Sequence, residues 1–185
     1  MKIAILGWGS LIWKPENLAY DIESKWSPDG PFLPIEYSRI SGDGRLTLVI
    51  SDEVNEVKTL FAISTFETLD QAILNLAIRE GSNISTIGFY IKNSSQTSPN
   101  NFKYRNNIEN WLKQNENVDA VIWTNLTKNW TSKTTYQDRV EYLLSLTENA
   151  KLKAEEYIRK TPKQINTALR SEIEERLNWK FLENN

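Results

Sequence analysis

The sequence predicts an α+β protein, with strands in its first half and helices in its second. Three observations support this prediction. An apolar run occupies residues 3–6, a β-branched run follows a Gly-Asp-Gly turn at residues 45–50, and apolar residues recur at helical spacing after residue 104. The 185 residues suit one domain, or one domain with a helical extension. We place the domain at residues 1–128 and the extension, packed on it, at residues 129–185.

The individual elements follow from local patterns. Strands are expected at residues 2–6, 45–50, 57–63, 85–91 and 118–123, and helices at residues 69–80, 104–116, 135–147, 149–160 and 163–178. Pro162 is expected to favour the start of the last helix. Residues 14–38 are rich in proline and aromatic residues and are predicted to form a loop suited to cover a site. Residues 93–101 are predicted to form a mobile loop.

Charge and hydropathy exclude some partners. The chain carries 22 Lys and Arg against 24 Asp and Glu, a net charge of −2, and has no basic stretch. A nucleic-acid-binding surface is therefore not favoured. No run of about twenty apolar residues and no secretory signal pattern is present. We expect a cytoplasmic protein that does not associate with membranes.

The absence of cysteine and histidine restricts the chemistry further. It excludes disulfides, thiol nucleophiles, Ser-His-Asp triads and zinc sites built on Cys or His. Acid–base catalysis would have to use Asp, Glu, Lys or Tyr. We expect no metal site, because no cluster of Asp and Glu stands at a predicted strand end. A carboxylate is therefore the leading candidate for a catalytic base.

Two glycines at the end of the first strand mark a candidate binding loop. Gly7 and Gly9 would let the backbone approach a ligand closely. A dinucleotide fingerprint needs a third glycine where Ile12 stands, and Pro15 disfavours the helix that should follow. A nucleotide cofactor is therefore not favoured. The alternative is that the two glycines only form a tight turn.

A carboxylate at the end of the 69–80 helix is the second candidate. The helix has a predicted capping box at Thr68 and Gln71 and a stop at Gly81. Glu80 shares a face with the apolar stripe, which consists of Leu69, Ile73, Leu76 and Ala77. Burial and the negative end of the helix dipole would both raise its pKa, as a general base requires. The alternatives are that Glu80 points outward into solvent or that it pairs with a lysine or arginine, such as the adjacent Arg79.

Both features resemble motifs of the gamma-glutamylcyclotransferase-like family. The run Gly7-Trp8-Gly9-Ser10-Leu11 is similar to the Gly-Tyr-Gly-Ser-Leu motif that opens these proteins, with Trp8 in place of tyrosine. The run Ala77-Ile78-Arg79-Glu80-Gly81 is similar to the helix end that carries the family's acid–base glutamate. The resemblance spans about residues 2–125 and does not extend to the helical tail. It implies a small mixed, barrel-like β-sheet wrapped by helices.

The resemblance also implies an activity. A γ-glutamyl compound would bind to the loop formed by Gly7, Trp8, Gly9, Ser10 and Leu11, and Glu80 would be the catalytic acid and base. The reaction would release 5-oxoproline and an amine or amino acid, without metal or cofactor. Arg39 and Arg45 flank the Gly-Asp-Gly turn and are candidates to bind the substrate α-carboxylate. Arg39 could instead form a structural salt bridge.

Two other functions remain open from the sequence. The seven tryptophans, together with aromatic residues of the 14–38 segment, could line a binding pocket without chemistry. The C-terminal helices could instead bind a partner protein, and the site formed by the Gly7–Leu11 loop and Glu80 would then be vestigial. The sequence does not determine the oligomeric state.

Overall fold

The computed structural model describes residues 1–52, 54–94, 96–130 and 135–182. Within these ranges the chain forms nine strands and five α-helices. The strands are β1 Ile3–Gly7, β2 Phe32–Leu33, β3 Ile35–Ile40, β4 Leu46–Ile50, β5 Val57–Lys58, β6 Leu60–Ile63, β7 Ile87–Ile91, β8 Thr97–Ser98 and β9 Ala120–Thr124. The helices are α1 Leu69–Arg79, α2 Arg105–Gln114, α3 Tyr136–Ser145, α4 Glu148–Lys160 and α5 Ala168–Leu177. The predicted α+β class is confirmed.

The chain divides into two compact units. The first unit comprises Met1–Gly7, Lys14–Leu33 and Lys58–Leu126, and the second comprises Trp8–Trp13, Pro34–Val57 and the chain from Thr127 onward. Both units are therefore assembled from segments that are separated in sequence. The boundary that we place after residue 128 stays a prediction.

A five-stranded mixed sheet forms the centre of the first unit. Its strand order is β6-β1-β9-β7-β8, with β1 parallel to β9 and the other neighbours antiparallel. Strand β1 has a neighbour on each side and is buried along its whole length, which explains its uninterrupted apolar sequence. The sheet is open, with β6 and β8 at its edges, so the barrel-like closure that the resemblance implies is not seen in these strands.

The second unit combines a hairpin with the C-terminal helices. Strands β3 and β4 pair antiparallel, with a register shift between Tyr37 and Arg39. The turn between them is closed by a hydrogen bond from the Gly44 N–H to the Ser41 carbonyl, and Gly44 has a φ of 85°. Glycine suits this left-handed conformation because it has no Cβ to clash with the backbone. Helix α5 packs on β3 and α3, and α3 also packs on α4.

Every predicted strand and helix overlaps an observed element of the same kind, but the details differ. The predicted 57–63 strand is split at Thr59, whose N–H and hydroxyl both donate to the Pro31 carbonyl. Strand β2 lies inside the segment 14–38 that we predict to be a loop, and β3 begins in that segment and extends beyond it. Strand β8 lies inside the predicted 93–101 loop, of which Ser95 is outside the described residues.

The last helix starts later than predicted. Helix α5 begins at Ala168 rather than at residue 163, and the Thr167 side chain caps it by accepting the Arg170 N–H. The reason is the buried Arg170 guanidinium, which donates to the carbonyls of Pro162 and Ile165 at 2.7 and 3.1 Å. These carbonyls are bonded to a side chain, and the segment between Pro162 and Thr167 stays non-helical.

Among the described residues, no helix is long and apolar enough to cross a lipid bilayer.

Candidate functional site

The predicted site residues are divided between the two units. Gly7 and Glu80 belong to the first unit, whereas Trp8, Gly9, Ser10, Leu11, Arg39 and Arg45 belong to the second. Each group has a defined environment within its own unit.

Gly7, the last residue of β1, lies against an indole ring. A Cβ placed on Gly7 would lie 2.5 Å from Cζ3 of Trp26, well inside van der Waals contact. Trp26 in turn packs against Tyr20, with ring centroids 5.7 Å apart. The absence of a side chain at Gly7 therefore has a packing explanation that needs no ligand.

Gly9 lies under the hydroxyl of Tyr157. The Gly9 carbonyl accepts the Ile12 N–H at 3.1 Å, which closes the turn, and a Cβ on Gly9 would lie 2.5 Å from the Tyr157 hydroxyl. Tyr157, on α4, makes an edge-to-face contact with Trp13, with the ring centroids 5.4 Å apart. Its hydroxyl accepts a hydrogen bond from the Leu48 N–H at 3.4 Å. Both alternatives, a turn and a close approach, are observed at Gly9, and the approaching group is a side chain of the same unit.

Trp8 is a structural part of the second unit. Its side chain is buried, and its Nε1–H donates to the Leu48 carbonyl on β4 at 3.2 Å. Leu11 is also buried, and Ser10 is half-buried. The indole that stands where the family motif has a phenol therefore anchors the loop to the hairpin.

The two candidate arginines have different partners. Arg45 pairs through Nε with Asp43 at 2.9 Å, and its guanidinium lies 5.4 Å from the centroid of the Tyr157 ring. Arg39 donates from Nη1 to the Thr127 carbonyl at 2.8 Å. Of the two, only Arg45 meets the side chain that covers Gly9, so within the second unit the structure groups Gly9 and Arg45 around Tyr157.

Helix α1 places Glu80 at its C-terminal end. The helix stops as predicted, because Gly81 has a φ of 58° and its N–H binds the Ile78 carbonyl. The predicted capping box at the other end is wrong, since the Thr68 hydroxyl donates to the Gln71 side chain at 2.7 Å and makes no cap to the backbone. The start of the helix after Thr68 is nevertheless confirmed.

The Glu80 carboxylate is mostly buried and paired. Its Oε1 lies 2.6 Å from Nη1 of Arg79, and the two side chains are 16% and 7% exposed. Arg79 is held in place by a second bond, from Nη2 to the Lys14 carbonyl. Burial raises the pKa of Glu80, the Arg79 charge opposes this effect, and the Glu16 charge adds to it, so that the net shift is upward. The upward direction agrees with the prediction, and the ion pair with Arg79, the alternative interpretation of Glu80, is also present.

A second buried carboxylate, Glu36, lies in the second unit and was not anticipated. Its oxygens accept hydrogen bonds from the Thr167 hydroxyl at 2.6 Å and from the Tyr37 and Leu169 N–H groups at 2.8 and 3.2 Å. Burial raises its pKa, and these hydrogen bonds and the Arg139 charge act against that rise. The bonds to Thr167 and Leu169 tie β3 to the first turn of α5, so Glu36 has a structural role.

In residues 1–52, 54–94, 96–130 and 135–182, no group of three or more Asp and Glu side chains is placed to hold a metal ion.

These observations define the chain as a mixed α+β protein with an open five-stranded sheet and a buried glutamate at the end of α1. Comparison with protein-family models, with curated proteins and with solved structures gives no match. The family resemblance therefore rests on the two sequence motifs and the compatible order of the predicted strands.

Proposed function

We propose that the protein is a gamma-glutamylcyclotransferase-like enzyme that cyclises a γ-glutamyl amide to 5-oxoproline. The observation that supports this proposal best is the state of Glu80. Its carboxylate is 16% exposed, and burial raises its pKa. A carboxylate in this state both accepts and returns a proton more readily near neutral pH than an exposed one. The second support is the resemblance of the Gly7–Leu11 run to the family's substrate loop.

The reaction needs one proton-transfer group and a folded substrate. Glu80 takes a proton from the α-ammonium, and the free amine attacks the γ-carbonyl carbon to form the lactam C–N bond. The bond from this carbon to the leaving nitrogen then breaks, and Glu80 returns the proton to that nitrogen. The α-nitrogen loses two protons in all, and both end on the released amine at neutral pH. Because the attack is intramolecular, orientation supplies much of the rate.

The loop would stabilise the charge that develops on the carbonyl oxygen. Backbone N–H groups of Gly9, Ser10 and Leu11 are the candidate donors, each worth about 2.7–4 kcal/mol in an oxyanion hole. Arg45, which lies beside the Tyr157 ring and pairs with Asp43, and Arg39, which donates to the Thr127 carbonyl, are both candidates to bind the α-carboxylate.

A non-catalytic binding module is the second candidate. It is favoured by the Tyr157 hydroxyl, which occupies the space beside Gly9 that a ligand atom would need in order to approach the backbone. Trp8 and Leu11 are buried in the same unit, so this loop is packed by its own neighbours. Such a protein would have a vestigial loop and would bind a small molecule or a partner protein at another surface, without turning it over.

The test is 5-oxoproline formation from a panel of γ-glutamyl dipeptides, glutathione and γ-glutamyl amines, measured by mass spectrometry. We expect product with the wild-type protein and none with Glu80→Gln, which is nearly isosteric. Glu67→Gln is the matched control, because it removes an exposed carboxylate of the same unit and should keep full activity. A thermal melt of each variant confirms that the fold is intact.

The outcomes separate the two candidates. Product that disappears only in Glu80→Gln supports the enzyme and identifies the leaving group. Product that persists in Glu80→Gln contradicts the assigned role of this residue. If no compound of the panel is converted, the binding module is favoured.

A further inference from the structure

A cleft of about 380 Å³ in the first unit has no part in the proposed reaction. It lies between α2 and the turn that follows β7. Its lining includes the buried side chains of Tyr90 and Leu112, which supply an apolar surface. None of its residues belongs to the predicted site, so it can be considered separately from the cyclisation.

The cleft concentrates positive charge on an otherwise slightly acidic chain. Lys92, Arg105 and Lys113 line it, against the single carboxylate of Glu109, an excess of two positive charges. The whole protein has a net charge of −2. A local field of this sign attracts anions and raises their concentration at the cleft.

The Arg105 guanidinium is held in place but is still accessible. Its Nε donates to Glu109 Oε1 at 2.6 Å, and the Tyr90 hydroxyl donates to the same oxygen at 2.9 Å. The guanidinium also lies 5.2 Å from the centroid of the Tyr90 ring. The bond to Glu109 uses one of the five N–H donors of an arginine, and the side chain is 38% exposed. A preorganised guanidinium loses less freedom when it binds a ligand.

The two lysines are placed differently. The Lys92 ammonium donates to the Glu116 carbonyl at 2.9 Å and to the Asn115 carbonyl at 3.4 Å, just beyond the C-terminal end of α2. An ammonium has three donors, so this arrangement fixes the position of Lys92 and leaves a third donor for a ligand. Lys113 is exposed and makes one long contact of 3.3 Å with the Asn110 side chain. It can therefore reorient toward an anion at little cost.

The geometry points to a binding site for a small organic anion. Its carboxylate or phosphate group would be held by Arg105, Lys92 and Lys113, and its carbon skeleton would contact Tyr90 and Leu112. Arginine and lysine are the side chains that proteins use for both kinds of oxyanion. The volume of about 380 Å³ lies within the range of small-molecule sites.

The test is isothermal titration calorimetry of the full chain with three probes: citrate, adenosine monophosphate and inorganic phosphate. The first two carry a carboxylate or a phosphate on an organic skeleton, whereas the third is the bare oxyanion. We expect one organic probe to bind and its affinity to fall about tenfold or more in Arg105→Gln and in Lys113→Gln, since charged hydrogen bonds are lost. Lys153→Gln, which removes an exposed lysine of α4, is the charge-matched control and should bind normally.

Each result bears on the proposal. Citrate binding alone identifies a carboxylate ligand, and adenosine monophosphate binding alone identifies a phosphate ligand. The proposal is overturned if no probe binds, if inorganic phosphate binds as tightly as the organic probes, or if Lys153→Gln weakens binding as much as the cleft variants. Lys113 is exposed and its loss should not affect folding, so the test does not depend on the stability of Arg105→Gln. None of these results depends on 5-oxoproline formation.

Discussion

Replacing Gly9 by alanine should destabilise the protein through the hydroxyl of Tyr157. The new Cβ would lie 2.5 Å from that oxygen, so the contact must open by nearly 1 Å before it reaches an ordinary separation. Tyr157 is only 6% exposed, and its ring is held by the Trp13 edge and by the Arg45 guanidinium. Because the ring has little room to move, we expect a loss of about 1–3 kcal/mol in the free energy of unfolding, as for other overpacked sites.

A second substitution tests the cause. In Tyr157→Phe the hydroxyl is gone, and the nearest atom to a Cβ at position 9 is the ring Cζ at 3.4 Å, an ordinary contact. In the Tyr157→Phe protein, Gly9→Ala should therefore lower the free energy of unfolding only slightly. Tyr157→Phe alone loses the bond from the Leu48 N–H and should cost about 0.5–1.5 kcal/mol. The two substitutions should be coupled by about 1–2 kcal/mol in a double-mutant cycle.

Urea denaturation of the four proteins measures this coupling. Gly42→Ala is the control, because no atom lies within 4 Å of its Cβ position, and it should leave the midpoint almost unchanged. Our reasoning is refuted if Gly9→Ala costs the same in both backgrounds, or no more than Gly42→Ala. In either case the glycine would need an explanation other than packing.

Two further predictions concern the buried carboxylates. The pKa of Glu36 is raised in the folded protein, so its ionisation favours unfolding, and the stability advantage of the wild type over Glu36→Gln should shrink as the pH rises through that raised pKa. Urea denaturation between pH 4 and 8 measures this difference, and a difference that grows with pH would contradict the assigned direction. The Arg79 charge lowers the pKa of Glu80, so Arg79→Gln should raise it further, as a carboxyl ¹³C NMR titration can show, whereas Lys25→Gln, at an exposed position, should leave it unchanged.

The strands of the central sheet could be predicted because their burial is visible in composition. Residues of β1 and β9 are apolar in unbroken runs, as expected for strands covered on both faces. Strand β3 could not be predicted in the same way. It follows Pro31 and Pro34 in an aromatic segment, and it contains Glu36, whose burial depends on donors from α5. No local pattern indicates a partner that lies so far along the chain.

In the candidate site, too, features that depend on neighbouring residues could be predicted, whereas contacts with residues distant in sequence could not. The end of α1 at Gly81 and the position of Glu80 follow from local sequence, and the structure has both. The two glycines correctly indicate close approaches to the backbone. The groups that approach Gly7 and Gly9 are the side chains of Trp26 and Tyr157, which lie further along the chain. The local sequence therefore could not show whether a ligand or an aromatic ring occupies that space.

The assembly of the second unit from distant segments has a consequence for folding during synthesis on the ribosome. Its hairpin, β3 and β4, is synthesised early, but the helices that pack beside it and the tyrosine that covers Gly9 come from the chain after Thr127. The hairpin therefore lacks these partners until more than a hundred further residues, from the end of β4 to Tyr157, have been synthesised. Contacts between such distant segments slow folding, and a nascent chain in this condition depends on chaperones more than one that folds segment by segment.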